Sequence, residues 1–187
     1  VPDNVEVQII PLLNPDGLVT TVGTVGAFTS EDVPDTLAAT IPGRFNANNV
    51  DLNRNFDCRW QPEGTWQRRS VSAGDAPFSE PEAAALRDHV RAKRPDAVIA
   101  YYAAAGGVFA SSCDNGVSEE TREVMRQYAN ASGYESSESY DFYEITGDMV
   151  NWLAKENIPG ISVLLSDHRS LEWERNRAGM MAVINGR

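Results

Sequence analysis

Histidine is scarce in this sequence, and that shortage constrains function more than any other feature. Only two occur among 187 residues, His89 and His168. A catalytic zinc needs three protein ligands, often histidine and carboxylate, with water in the open place. His89 falls on the polar side of a stretch that reads as helix. His168 has Asp167 beside it and Glu172 four residues on, but the sequence supplies no convergent third group. Cysteine is almost as rare. Cys58 and Cys113 form no Cys-x-x-Cys pair, which removes a cysteine-built zinc site. Both lie in polar, loop-like stretches, compatible with one disulfide or with two buried thiols, and the reading leans to the disulfide. Lysine and arginine number 16 against 27 acidic residues, giving a net charge of −11. Such a chain is repelled by phosphate backbones, so no nucleic-acid partner is expected. No apolar run approaches the roughly 20 residues that span a bilayer. No signal peptide opens the chain, so a mature form or a piece of a longer protein is expected. An extracytoplasmic or secreted location follows from the disulfide reading.

What is present is a globular composition, 42% hydrophobic and 23% charged, enough for one core of ordinary size. Residues 5–13 begin with alternation and end apolar, which predicts a strand closed by the Asn14-Pro15-Asp16-Gly17 turn. Residues 18–43 are rich in Thr, Gly and Pro without a period and read as a long loop. Ser79 and Glu82 form a capping-box pattern ahead of a helix to Lys93, with Ala83, Leu86 and Val90 on its inner face. Residues 96–105 read as a central strand stopped by Gly106-Gly107. Ser118 is placed to cap a helix to Ser132 with Val124, Tyr128 and Ala131 inward. Residues 134–145 are tyrosine-rich and loop-like. Thr146 opens a short helix to Lys155, residues 158–165 form a third apolar strand, and Ser170 caps the last helix, which ends at Asn185-Gly186. Strands alternating with helices define an α/β layer fold in a single domain, 1–187.

Residues 44–56 stand apart. They hold Arg44 and Arg54, a run of asparagines and one aspartate. The stretch is too polar for core and too poor in Glu, Lys and Ala for a solvated helix face. Arginines with amide neighbours can grip a carboxylate through paired N–H donors.

In order along the chain come Asn14-Pro15-Asp16-Gly17, Arg44-Phe45-Asn46, Asp51 to Phe56 (Asp-Leu-Asn-Arg-Asn-Phe), Pro77 to Glu82, and Thr146-Gly147 ahead of Trp152. This series resembles the zinc metallocarboxypeptidase family, the carboxypeptidase A and murein-peptide amidase group. The resemblance implies a mixed sheet flanked by helices, with the N-terminal part of the family domain missing. It implies that Arg44, Asn53 and Arg54 hold a substrate's terminal carboxylate and polarise its scissile carbonyl, and that Tyr143 closes over bound substrate. It also implies zinc, which this chain is not expected to hold. The His-x-x-Glu pair that supplies two ligands occurs nowhere. The third ligand position reads Tyr102, and the general-base position reads Leu164.

The expected function is therefore a non-hydrolytic domain that binds the C-terminal carboxylate of a peptide or cell-wall peptide. Two other readings stay open: an active zinc carboxypeptidase completed by a missing N-terminal segment or partner, and a structural or assembly role. Residues 5–13, deprived of neighbouring strands, are expected to associate in a homodimer or with an upstream fragment.

Overall fold

The computed structural model describes residues 1–187. It resolves into two compact units. One comprises Val1–Ile9, Val90–Glu144 and Met149–Arg187, and the other Ile10–His89 and Ile145–Asp148.

The first unit is built on a four-stranded sheet. Its strands are β3 (Val98–Ala103), β4 (Gly107–Ala110), β5 (Glu135–Ser137) and β6 (Gly160–Leu165), in the order β3-β6-β4-β5. β3 runs parallel to β6, β6 antiparallel to β4, and β4 parallel to β5. The sheet is thus mixed, as expected. Val108, Ile161 and Val163 from the sheet pack with Val124, Met125 and Tyr128 of α4 (Glu119–Ser132) and Val183 of α6 (Trp173–Asn185). α4 starts where Ser118 Oγ accepts the Thr121 N–H, and ends at left-handed Gly133, each a standard helix stop. Against α4, α6 must come close. A Cβ on Gly179 would meet the Tyr128 ring at 2.7 Å, so glycine admits the aromatic there. The short α5 (Met149–Lys155) buries Val150, Trp152 and Leu153.

The second unit is mostly irregular. Its regular parts are α1 (Pro15–Val22), the single turn α2 (Leu37–Thr40), the hairpin β1 (Glu63–Trp66) and β2 (Arg69–Ser72), and three short 3-10 turns. α3 (Pro81–Lys93) leads out of it, with Ala83, Leu86 and Val90 buried as expected.

Several expectations need correction. Residues 5–13 join neither sheet, and Val7, Ile9, Ile10 and Leu12 are exposed. Alternation specifies a strand only where a ladder partner exists. Asn14 does not close a turn. Its Oδ1 accepts the Gly17 N–H at 2.9 Å and caps α1, with Pro15 in the first helical position, where its missing N–H costs nothing. The stretch read as a loop therefore holds α1 and α2. Ser79 does not cap α3. Its Oγ bonds Asn55 and Glu80 instead, because the helix begins only at Pro81. Ser170 is likewise turned to Asp167, and α6 starts after Glu172 without a side-chain cap. β3 is an edge of this sheet, not its centre. Ala131 is exposed while Ala129 is buried. β4 is only four residues long behind a Gly-Gly pair, and β5 is three polar residues, so neither carries a strand signal in the sequence.

Candidate functional site

In the second unit the Arg44–Phe56 stretch folds around Asp51, which is 1% exposed. Its backbone N–H donates to Ser72 O at 3.0 Å, tying the stretch to β2. Its Oδ1 accepts the Asn53 N–H at 3.1 Å and caps the 3-10 turn Leu52–Arg54. Its Oδ2 accepts from both Nε and Nη2 of Arg44 at 2.7 Å. This clamp is shielded on the carboxylate side (side chain 2% exposed) and open on the guanidinium side (24%). The Arg44 guanidinium carbon lies 4.4 Å from the centre of the Trp66 ring, a cation–π distance. Phe45 meets the same ring edge-on.

Arg54 is placed differently. It is 1% exposed. Nε and Nη2 donate to Thr65 O at 3.0 and 2.7 Å, and Nη1 donates to Asn53 O at 2.5 Å. Its stem lies against β1, where a Cβ on Gly64 would come within 2.7 Å of Cδ. Arg54 thus braces the hairpin from beneath, while Arg44 reaches the surface beside Trp66. Both arginines touch β1, Arg54 through Thr65 O and Arg44 through the Trp66 ring, but only Arg44 is left partly exposed. Asn53 is half-buried next to them.

The remaining asparagines are scaffold. Asn46 Oδ1 accepts the N–H groups of Asn48 and Val50, and the Nδ2 groups of Asn46 and Asn48 donate to Glu80 Oε2 at 2.7 and 2.8 Å. Asn55 Nδ2 donates to Ala73 O and to Ser79 Oγ, and its Oδ1 accepts the Glu80 N–H. Burial pushes the Glu80 carboxyl up, but the bonds from Asn46, Asn48 and Ser79 outweigh it and hold it below its ordinary value. A buried carboxylate supplied with neutral donors stays charged by this means.

In the first unit, Tyr102 of β3 stands directly opposite Leu164 of β6 in the parallel ladder. Leu164 is buried and Tyr102 half-buried. A phenol and an isobutyl group face the place where the family resemblance calls for an imidazole and a carboxylate. No three His, Cys, Asp or Glu side chains are grouped so as to hold a metal. His89 is exposed on α3. The acids near His168 are committed elsewhere. Backbone bonds from Arg169 and Ser170 hold Asp167 below its usual range. Glu172, raised by burial, is brought down further by bonds from Ser166, Tyr134 and Arg175. The residues present do not fit the family's zinc. Tyr143 is half-buried, its ring edge-on to Tyr140 at 5.2 Å in a cluster with Phe109 and Phe142.

Cys58 and Cys113 are disulfide-bonded and no cysteine is free, as the sequence suggested. Sequence reasoning missed Trp66 as the platform under Arg44, since the hairpin lacks alternation. It also left Asp51 without a role, although Asp51 is the one acid in the 44–56 run and so the natural partner for its arginines.

The class is defined by the fold: a mixed sheet flanked by helices, as in carboxypeptidase-like structures. The zinc carboxypeptidase family model matches residues 1–176, and the chain belongs to that family. It is 27% identical over 147 residues to gamma-D-glutamyl-L-diamino acid endopeptidase 1 of Lysinibacillus sphaericus, covering 73% of this chain and 36% of that protein. Among solved structures it is similar to murein-tripeptide amidase MpaA from Escherichia coli O157 (TM-score 0.61, 23% identity, 92% of this chain and 64% of that one). It is also similar to carboxypeptidase A from Helicoverpa armigera (TM-score 0.64, 19% identity, 95% and 51%). At these identities the two structures speak for the fold. The chain spans about a third of the curated relative and between half and two thirds of these two structures. No helix is long and apolar enough to cross a membrane.

Proposed function

We propose that this chain is a zinc-carboxypeptidase-family domain that binds the C-terminal carboxylate of a peptide, including cell-wall peptides, without hydrolysing it. The observation that carries the reading is the Tyr102–Leu164 pair of the first unit; the second unit separately offers an Arg44 guanidinium held in place by Asp51. Peptide hydrolysis by the family route needs a ligand and a proton acceptor at those two ladder positions, and neither side chain supplies one. Carboxylate binding needs only an oriented guanidinium. Arg44 is assigned the direct contact, Asn53 a supporting one, and Arg54 the task of holding the 3-10 turn and β1 beneath them. Tyr143 is assigned its closing role by family resemblance alone. Residues 1–187 are read as one functional domain working outside the cytoplasm, which the disulfide supports. A homodimer, or a complex with an upstream fragment, is assigned to residues 5–13, supported by the exposed Val7, Ile9, Ile10 and Leu12. Light scattering tests that association.

The deciding experiment is calorimetric titration with one peptide in two forms, free acid and C-terminal amide. Metal analysis and an assay for released C-terminal amino acid are run on the same protein. Binding of the acid but not the amide, without turnover, is expected. One zinc per chain with chelator-sensitive turnover would overturn the reading in favour of an active hydrolase. Equal, negligible binding of both forms would favour a purely structural role.

A further inference from the structure

We infer that the hairpin tip beside Arg44 is a second anion subsite, and that the peptide end it selects carries two carboxylates. The inference rests on the carboxylate-binding reading and narrows its ligand. The Trp66 ring carries two guanidinium groups, Arg44 at 4.4 Å and Arg69 at 5.9 Å. Trp66 and Arg69 are cross-strand partners in the hairpin register, so the two-residue connection Gln67-Arg68 fixes their relation. Gln67 takes the left-handed φ of 55° that such a two-residue turn requires.

The two cations differ in what they have left to offer. Asp51 pairs with Nε and Nη2 of Arg44 and neutralises it, leaving Nη1 uncommitted on a side chain that is 24% exposed. Arg69 is exposed and makes no ion pair or hydrogen bond through its guanidinium, so its whole fork is open. The acid of the hairpin, Glu63, sits at the far end of β1 opposite Ser72 and accepts from Ser70 Oγ. It lies three residues along the strand from Trp66, about 10 Å at the usual strand rise. With Arg68 exposed in the connection, the tip is a positive island on a chain of net charge −11. Both guanidinium groups lie against the Trp66 ring, and the one on Arg69 has no counter-ion. A single carboxylate on Arg44 leaves the open fork of Arg69 unused. A terminal residue with an acidic side chain fills both, its α-carboxylate on Arg44 and its second carboxylate on Arg69, where a bidentate pair forms.

The test uses acetylated tripeptides ending in Glu or in Gln, each as free acid, titrated into the wild-type protein and into Arg69→Ala. Arg69 is exposed and unpaired, so Arg69→Ala keeps the fold, checked by its circular dichroism and melting temperature. The Glu peptide is expected to bind the wild type about tenfold more tightly than its Gln isostere, the usual scale of one partly exposed charge-assisted contact. Arg69→Ala should abolish that preference and leave Gln-peptide affinity unchanged. Raising salt should erode the preference as well. Equal binding of the two peptides by the wild type overturns the second subsite and leaves the carboxylate-binding reading intact. A preference that survives Arg69→Ala overturns the assignment to Arg69. Failure of both free acids to bind removes the parent reading and the inference together.

Discussion

Replacing Gly147 by alanine should destabilise the second unit severely, although the change adds one methyl group. Gly147 has φ +64°, a left-handed conformation that costs an L side chain roughly 1–2 kcal/mol. A Cβ built there would lie 2.1 Å from Arg54 O and 3.2 Å from Phe56 O. Those are backbone atoms and cannot swing aside as a flexible side chain would. The segment must retreat, and retreat loosens two bonds that hold it, Phe56 N–H to Gly147 O at 2.9 Å and Gly147 N–H to Cys58 O at 2.7 Å. Each is worth about 1 kcal/mol net. The expected loss is therefore about 3–4 kcal/mol, or about 10 °C in melting temperature for a chain of this size. Urea unfolding followed by tryptophan fluorescence, with the disulfide kept oxidised, reads it as a lower midpoint at unchanged slope. Gly116→Ala is the control. It has φ +74° with nothing within 4 Å of the added Cβ, so only the backbone cost of about 1 kcal/mol should appear. If Gly147→Ala costs no more than Gly116→Ala, the close packing against Arg54 is not what the position requires.

Arg54→Lys should cost about 2–3 kcal/mol, because an ammonium cannot reproduce the forked contact with Thr65 O and a buried charge is left under-bonded. Faster amide exchange confined to the β1–β2 hairpin is the specific readout. Glu80 sets a pH dependence. Its folded value lies below the ordinary 4.5, so its stabilisation is complete above that pH and is lost as pH falls through the folded value. Glu80→Gln should therefore flatten the stability curve below about pH 4.5, a slope that unfolding series at pH 3 to 6 would measure. Reduction of Cys58–Cys113 opens a loop of about 55 residues and should cost roughly 4 kcal/mol on the chain-entropy argument. A reduced protein with unchanged stability would contradict it.

The helices were the most legible part of the sequence, because apolar spacing and stop signals are local. Ser118 caps α4 and the helix runs to Ser132 as read, and Ala83, Leu86 and Val90 mark the buried face of α3. What failed was information held outside the segment. Residues 5–13 alternate as a strand should, but alternation says nothing about whether a neighbour is available. Asn14-Pro15 carries two meanings, a turn or a helix start, and only the approach of Gly43 O to Gly17, within 2.0 Å of a built Cβ, shows α1 packed there. Ser79 and Ser170 sit near helix starts, yet their hydroxyls have better partners in Asn55 and Asp167. Cap-like composition does not ensure cap geometry. β5 reads Glu-Ser-Ser, which no propensity favours, and exists because β4 offers it an edge.

The residues that made the family recognisable divide into two kinds once their contacts are known. Asn46 and Asn55 hold Glu80 and the chain around it, Arg54 is spent on Thr65 O, and Gly147 is needed for its lack of a side chain. These positions stabilise the second unit whether or not anything binds, so the motif by itself testifies to fold. Arg44 is different. Asp51 engages one edge of it and Trp66 supports its face, which leaves a single guanidinium edge uncommitted. The functional reading therefore rests on Arg44 more than on the motif as a whole. Arg44→Gln separates the two kinds. It leaves Asp51 buried without its cation, so a loss of about 1–3 kcal/mol in stability is expected on either view. Only if Arg44 is the anchor will free-acid peptides lose affinity at temperatures where the variant is fully folded, while Asp51→Asn, which frees the guanidinium without removing it, retains carboxylate binding. Loss of binding in neither variant would leave Arg44 as one more brace in the scaffold.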